Sequence, residues 1–200
     1  PGTNKLAERS HQFRDTNSPE KTQIIIPSVS TERREYIQLG FIGTDTVITN
    51  LALVIYDAES YFLGLLSSKM HIVWLKNIGG KLRSHWRYSK DIVYNTFPFP
   101  PISTQRKNEI TQATFRILEE REKHSNKTLA QLYDPDKMPD GLREAHRQND
   151  EIIEKCYRST PFKSDEERLE YLFKLYEKMI AEEKEQGTLF AKEKKTRKKR

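Results

Sequence analysis

The proline-rich segment Phe97-Pro-Phe-Pro-Pro101 divides this chain of 200 residues into two parts with different hydrophobic patterns. Proline lacks a backbone N–H and clashes with the preceding turn of a helix, so regular structure stops at such a segment. Short alternating apolar runs precede it, and apolar residues at helical spacing follow it. The sequence therefore predicts an α+β fold, in which a small twisted β-sheet with helices is followed by a C-terminal helical bundle.

The first part contains four segments with the composition of strands, followed by a helical pattern. The predicted strands are Gln23–Pro27, 36–41, 46–49 and 51–56. The helical pattern begins at Tyr61, breaks near Ser67-Ser68 and ends at Gly79-Gly80. Residues 85–88 are a further short strand candidate, and we expect His71 and Trp74 to pack in the interior.

The second part is predicted to form three helices. Ser103 or Thr104 can cap the first, residues 142–157 form the second, and Ser164 to Glu167 has the pattern of a capping box for the third. The last ten residues hold seven Lys and Arg and one Glu, so they account for the net charge of +6 of the whole chain. We expect domains at 1–101 and 102–190 and a disordered basic tail at 191–200.

The stretch 61–101 has the charge pattern of a surface that binds a polyanion. No Asp or Glu lies between Glu59 and Asp91, whereas six cations do: Lys69, Lys76, Lys81, Arg83, Arg87 and Lys90. Aromatic side chains and histidines alternate with them, which favours a nucleic-acid surface over a purely solvated basic face. The solvated face remains the alternative on charge alone.

Several classes of protein find no support in the sequence. No two histidines have the spacing of a zinc site, and one cysteine cannot build a structural one, so we predict no metal ligands. Phosphate loops, nucleophile elbows and dinucleotide fingerprints are missing, so we predict no catalytic residues. No apolar run reaches the roughly 20 residues of a membrane span, so we predict no membrane partner. The single Cys156 excludes an internal disulfide, which fits a cytoplasmic protein.

The order of several motifs resembles the target recognition domain of MmeI-like DNA methyltransferases, the type IIG/IIL restriction-modification enzymes. The resemblance rests on Ser67-Ser-Lys-Met-His71, on Gly79-Gly-Lys-Leu-Arg-Ser-His-Trp-Arg-Tyr-Ser89 and on Tyr94-Asn-Thr-Phe-Pro-Phe-Pro100. Leu132-Tyr-Asp-Pro-Asp-Lys-Met-Pro139 resembles the helical C-terminal region of the same family. The similarity covers about 24–190, which is nearly the whole chain.

This resemblance implies a C-terminal fragment that recognises double-stranded DNA and positions a target adenine for an upstream methyltransferase domain of the same chain. The catalytic motif and the S-adenosylmethionine pocket of the family have no counterpart here, so the resemblance implies a cofactor for the full-length protein and none for this fragment. The parent would be an adenine-specific enzyme of a bacterial restriction-modification system, and the fragment alone would not be an enzyme.

The resemblance also indicates which residues contact DNA. Ser84, His85 and Arg87 are the first choices for base readers, because the family uses the segment around Gly-Gly-x-Leu-x-Ser for that purpose. Arg87 can donate to both acceptors of guanine, and Asn50 can pair with adenine through its amide. The expected phosphate contacts come from Ser28, Ser30, Arg33, Arg34, Lys69 and Lys81.

Two other interpretations remain open at this point. The charged helices of the second part are also typical of a docking module that supports a methyltransferase core without DNA affinity of its own. A free-standing enzyme is the third interpretation, and it would require activity of this chain alone with S-adenosylmethionine. DNA binding by the isolated chain separates the recognition interpretation from the docking interpretation.

Overall fold

The structure is a computed structural model that describes residues 20–49 and 51–197, of which 186–197 are described as backbone. The fold is α+β, as predicted from the sequence, but it contains two small antiparallel sheets instead of one. The first part of the chain supplies both sheets and two helices. The second part, after Pro101, is helical throughout its regular structure.

The inner sheet has three strands in the order β3–β1–β4. Its strands are β1 (Gln23–Pro27), β3 (Gly40–Ile42) and β4 (Ala52–Ile55). The apolar side chains of β1 pack in the core, where Ile24 and Ile26 are at most 2% exposed. The Gln23 amide closes the turn after β3 by donating to the carbonyl of Gly43.

The outer sheet also has three strands, in the order β2–β6–β5. They are β2 (Val29–Thr31), β5 (Gly80–Leu82) and β6 (His85–Arg87), and the last two form a hairpin with a two-residue loop. Strand β2 follows β1 after one residue, so the two sheets are joined at Ser28. This join places the outer sheet next to the core while leaving one of its faces in solvent.

Two helices and a π-helical turn flank the outer sheet in sequence. Helix α1 (Tyr61–Leu66) ends where predicted, and α2 (Lys69–Ile78) starts after Ser68, whose side chain caps it. A π-helical turn covers Lys90–Tyr94 and is capped by Ser89. His71 and Trp74 are fully buried on α2, which confirms that they are packing residues.

The second part contains four helices within the described residues. They are α3 (Thr104–Glu122), α4 (Leu129–Leu132), α5 (Asp140–Tyr157) and α6 (Asp165–Arg197). Ser103 caps α3, and Ser164 accepts from the N–H of Glu167 at the start of α6, as the sequence predicts. Glu167 departs from the capping box, because its carboxylate accepts from the N–H of Lys163 instead.

The two parts of the chain share one hydrophobic core. The buried cluster runs from Ile24 on β1 to Leu172 on α6, and it includes Trp74, Ile117 and Ile153. Helix α1 packs on α3 at Gly64, where an added Cβ would lie 2.5 Å from the Thr114 hydroxyl. The first and the second part of the chain are therefore packed as one body across this contact.

Three local predictions differ from the structure. Residues 36–39 are irregular because Tyr36, Ile37 and Leu39 pack in the core without strand partners. Residues 46–49 form no strand, since this segment has no neighbour in the inner sheet. Helix α6 continues to Arg197, whereas disorder was predicted from residue 191; the composition of 191–197 suits a helix, and basic residues are favourable near a helix C-terminus.

None of the helices in the described part of the chain is both long enough and apolar enough to span a membrane.

Candidate nucleic-acid interface

The pairing register of the outer sheet decides which side chains share its solvent face. Arg87 lies opposite Val29 and Gly80, and His85 lies opposite Thr31 and Leu82. Residues directly opposite each other in an antiparallel sheet project to the same side. We call the set Val29, Thr31, Leu82, His85 and Arg87 the solvent face of the outer sheet. Two of the four predicted base readers, His85 and Arg87, are therefore brought together there.

The side chains in the middle row of the outer sheet project to the face opposite the solvent face. Ser30 lies opposite Trp86, and Trp86 lies opposite Lys81. Ser30 is buried and Trp86 packs against the core, while the ammonium of Lys81 sits 4.5 Å above the Trp86 ring. The structure therefore does not bring Ser30 or Lys81 to the solvent face, because strand alternation turns both side chains to the opposite face, where Ser30 is buried and Lys81 stays exposed.

The hairpin loop consists of Arg83 and Ser84, the third predicted base reader. Both residues are exposed, and Arg83 has a φ of 58°. Two-residue hairpin loops require positive φ values, which glycine and asparagine adopt at the lowest cost. An arginine in this conformation holds a cation at the tip of the hairpin at some expense in backbone energy.

The base of the hairpin is anchored in the core. Tyr88 follows β6, is buried, and shares a hydrogen bond of 2.8 Å with Nε2 of His71. Burial lowers the pKa of His71 to about 3, so its imidazole is neutral. On the other side, Gly79 lies against α2, and an added Cβ there would be 2.5 Å from the carbonyl oxygen of Leu75. The exposed hairpin thus rises from a rigid base.

The predicted phosphate contacts after β2 lie in a different environment. Arg33 pairs with Asp136 at 2.7 Å, with both side chains exposed. The Arg34 guanidinium lies against the side-chain amide of Gln38, and partial burial lowers its pKa. Ser28 is half-buried between the sheets, where its N–H donates to the carbonyl of Leu51. These three residues are outside the solvent face.

Lys69 starts helix α2, at the end opposite to the hairpin. Ile78, at the other end of this helix, is nine positions further along, which corresponds to roughly 13 Å. Lys76 is on the same side of α2, and partial burial together with the charge of Lys69 lowers the pKa of Lys76. The predicted base reader Asn50 lies outside the described residues.

Within the described residues, the cations of the hairpin have no acidic partners. In the described ranges, Arg83 and Arg87 make no ion pair, although eleven ion pairs form elsewhere. The nearest carboxylates in sequence are Glu59 and Asp91. Guanidinium groups that are exposed, fixed on a sheet and unpaired are available to phosphates and to guanine.

A second group of polar residues connects the first part of the chain with helix α5. The Tyr36 hydroxyl donates to Asp150 at 2.8 Å, and the backbone N–H of Lys69 donates to the same carboxylate at 2.7 Å. Glu35 forms an ion pair with Arg143. Burial raises the pKa of Asp150 to about 7, and the two hydrogen bonds oppose that shift. We call these contacts, which link residues 33–39 and Lys69 with residues 121–150, the junction.

The junction extends to helix α3 through Arg121. Its guanidinium donates to the carbonyl of Leu39 at 2.7 Å and to the hydroxyl of Tyr133 at 2.8 Å. Tyr133 also shares a hydrogen bond of 2.7 Å with Nε2 of His146, whose ring stacks on Tyr36 at 4.1 Å. Burial and the Arg121 charge lower the pKa of His146, so this imidazole is also neutral.

Sequence reasoning missed three residues of the solvent face, namely Val29, Thr31 and Leu82. The alternation in Val29-Ser-Thr31 and His85-Trp-Arg87 carries this information, because it separates the outward residues from Ser30 and Trp86. The register between β2 and β6 was needed to place them side by side, and these strands are more than 50 residues apart.

The described residues contain no group of three or more His, Cys, Asp or Glu side chains that could hold a metal ion. A groove of about 340 Å³ lies beside strand β4, and its lining includes Leu53, Ile55, Tyr56 and Tyr94. This lining is largely apolar and carries no carboxylate for the ribose hydroxyls of a nucleoside cofactor. The groove therefore does not fit S-adenosylmethionine.

Comparison with known proteins identifies the family. The model of the MmeI target recognition domain matches residues 1–101, and the model of the MmeI C-terminal domain matches 102–182. DNA methyltransferase A of Bacillus subtilis (strain 168) is 52% identical over 178 residues. That alignment covers 89% of this chain and 20% of the methyltransferase.

A solved structure shows the same fold. The Type IIL restriction-modification enzyme MmeI, determined in complex with DNA, superposes with a TM-score of 0.83 at 36% identity. The match covers 90% of this chain and 24% of the MmeI chain, so our chain spans about a quarter of MmeI and a fifth of the B. subtilis relative. The chain belongs to the MmeI family, whose target recognition domain and C-terminal domain it contains.

Proposed function

We propose that this chain recognises a DNA sequence on behalf of a restriction-modification adenine methyltransferase, and that the solvent face of the outer sheet enters the major groove. The observation that carries the proposal is the placement of His85 and Arg87. They are exposed, project from one face of a hairpin and lack acidic partners in the described part of the chain. The major groove admits a two-stranded ribbon of this kind.

The spacing along β6 suits two base pairs that are two steps apart. His85 and Arg87 are two residues apart, which corresponds to about 6.6 Å along a strand. Two base-pair steps of B-DNA span about 6.8 Å, so both side chains can reach base edges at the same time. Arg87 suits the two acceptors of guanine, while His85 and Ser84 can each donate or accept.

The phosphate contacts are proposed to flank this ribbon. Lys81 is exposed on strand β5 of the hairpin, next to the Trp86 ring. Arg33, Arg34 and Lys69 belong to the segments that form the junction. Ser28 and Asn50 remain proposed DNA contacts, whereas we assign Ser30 to the core because it is buried. Phosphate contacts of this kind set the register of a protein on DNA without reading its sequence.

In this proposal residues 1–101 read DNA and the helices after Pro101 support them. The catalytic domain and its S-adenosylmethionine belong to another part of the intact protein, which would act on DNA in the bacterial cytoplasm. Methylation of an adenine requires the base to leave the duplex, so the chain acts by holding the target in register for that step.

Titration with duplex DNA across a salt series tests the proposal. We expect binding that weakens with salt, and a preferred sequence after selection from random duplexes. Replacing Arg87 or His85 by Ala should reduce the preference for that sequence by about tenfold or more, as expected for a lost base contact. Lys127→Ala removes an exposed cation outside the sheet and is the matched control.

Two outcomes would contradict the proposal. The first is the absence of DNA binding at low salt, which would favour the docking role for this chain. The second is an equal loss of affinity for all sequences in Arg87→Ala and His85→Ala, which would reduce both residues to phosphate contacts.

A further inference from the structure

The solvent face of the outer sheet contains an apolar side chain that packing does not explain. Leu82 is 53% exposed, and it ends strand β5 beside the hairpin loop. It is absent from the hydrophobic core and from the partly buried side chains packed against that core. Single exposed leucines are common on proteins, so exposure alone assigns no role to it.

Its neighbours give Leu82 a specific environment. It lies directly opposite His85, and His85 lies opposite Thr31, so the three form one row across the sheet. Side chains in such pairs have Cβ atoms about 5 Å apart. The next row on this face contains Arg87. An apolar group is therefore held about 5 Å from the His85 side chain and about 7–8 Å, on the diagonal, from that of Arg87.

The chemistry of the major groove provides a partner for this apolar group. The C5-methyl of thymine is the apolar feature that a base pair presents there, among donors and acceptors. The ribbon Gly80–Arg87 carries three cations and no carboxylate, a charge pattern that suits the polyanionic surface of DNA. A leucine beside a histidine on such a face is suited to a methyl group next to a polar base edge.

We propose that Leu82 is a specificity-determining residue that contacts the C5-methyl group of a thymine adjacent to the base read by His85. This inference rests on the proposed function and deepens it. Leu82 excludes water from the methyl group, while His85 hydrogen-bonds the neighbouring edge. Uracil differs from thymine by that methyl group alone, so the contact can be removed from the DNA without changing any donor or acceptor.

The experiment starts from the preferred duplex of this chain, obtained by selection. Each thymine is replaced singly by uracil, and dissociation constants are measured for the parent chain, Leu82→Ala and Ile92→Ala. Ile92 is the matched control because it is 51% exposed and lies on the π-helical turn outside the sheet. Neither substitution removes core packing, so both variants should fold as the parent does.

We expect one thymine-to-uracil replacement to weaken binding of the parent about fourfold, the effect of one buried methyl group. Leu82→Ala should bind both duplexes equally, and Ile92→Ala should discriminate as the parent does. Leu82→Met, which keeps an apolar side chain of similar volume, should retain most of the discrimination.

The proposal is overturned if no replacement changes the affinity of the parent, or if Leu82→Ala still loses the same factor as the parent. Failure of the proposed function has a different signature, because His85→Ala and Arg87→Ala would then leave the sequence preference unchanged. Loss of preference in those two variants with no effect of uracil would reject the role of Leu82 alone.

Discussion

Arg87 and Arg121 show how two regions of this molecule use the same side chain. Arg121, in the junction, is 8% exposed and donates to the Leu39 carbonyl and the Tyr133 hydroxyl. Arg87, on the outer sheet, is exposed and has no acidic partner in the described ranges. The donors of Arg121 are satisfied within the fold, so they stabilise it, whereas those of Arg87 remain available to a ligand.

The comparison separates stability from recognition. Polar groups of the junction are buried and paired, so their removal leaves partners without hydrogen bonds, which is costly. Polar groups of the solvent face are hydrated, so their removal changes the folding free energy little. Substitutions in the junction should therefore lower stability, and those on the solvent face should lower DNA discrimination.

The largest expected effect is that of Asp150→Ala on stability. It leaves the Tyr36 hydroxyl and the Lys69 N–H without their acceptor, which should reduce the free energy of unfolding by about 3 kcal/mol. Urea denaturation measures the change. Glu151→Ala, which removes an exposed ion pair with Arg147, should change it by less than about 1 kcal/mol. Equal losses in the two variants would contradict the assignment of the junction.

The pH dependence of stability provides the next test. Because burial raises the pKa of Asp150 to about 7, the folded chain binds a proton here that the unfolded chain releases near pH 4. This contribution to stability is present at low pH and is lost as the pH rises through 7. Between pH 5 and 7 the free energy of unfolding of the parent should fall by about 2 kcal/mol relative to that of Asp150→Asn.

The difference between the parent and Asp150→Asn isolates this group. His71 and His146 have lowered pKa values, so their contributions rise with pH, but they are the same in both proteins. Denaturant unfolding at several pH values gives the two curves. Parallel curves would show that Asp150 is ionised throughout, contrary to its burial.

A pair of glycines tests the anchoring of the hairpin. Gly79→Ala places a Cβ 2.5 Å from the Leu75 carbonyl oxygen, so it should lower the free energy of unfolding by about 1.5 kcal/mol. Gly80→Ala meets no atom within 4 Å and should cost much less. Thermal unfolding compares the two. A smaller loss for Gly79→Ala than for Gly80→Ala would indicate that the hairpin base is loosely packed.

The smallest expected effect is that of Arg83→Gly, which should raise the stability of the fold and lower its affinity for DNA. Arg83→Gly relieves a φ of 58°, which outweighs the added freedom of the unfolded chain and should stabilise the fold by about 0.5 kcal/mol. The same change removes a cation from the hairpin tip, so DNA affinity at low salt should fall. A stabilised variant with unchanged affinity would exclude Arg83 from the DNA interface.

Local features were predictable from the sequence, and long-range pairing was not. Gln23–Pro27, the break between α1 and α2, and the Ser103 cap depend on neighbouring residues, and the structure confirms them. Strand β2 has three residues and a partner more than 50 positions away, so no local pattern reveals it. Family resemblance selected Ser84, His85 and Arg87 as base readers, but it could not show that they lie on a hairpin or that Ser30 turns inward.

The junction was also hidden from sequence reasoning. Arg33 was interpreted as a phosphate contact, yet it pairs with Asp136 more than 100 residues later. Asp150 and His146 looked like ordinary members of a charged helix, and their burial depends on the packing of 33–39 against α5. Contacts of this kind follow from the tertiary fold, and the residue types alone do not specify them.

The contacts of the junction also constrain how such proteins can exchange parts. A chimera that joins residues up to 101 from one relative to the helices of another would separate Arg33 from Asp136, Glu35 from Arg143, and Tyr36 from Asp150. Recombination at the proline-rich segment is therefore viable when the incoming helices carry matching partners. The tip of the exposed hairpin depends on no such partner within the described residues. Point substitutions there can therefore change the sequence preference while the contacts of the junction are kept.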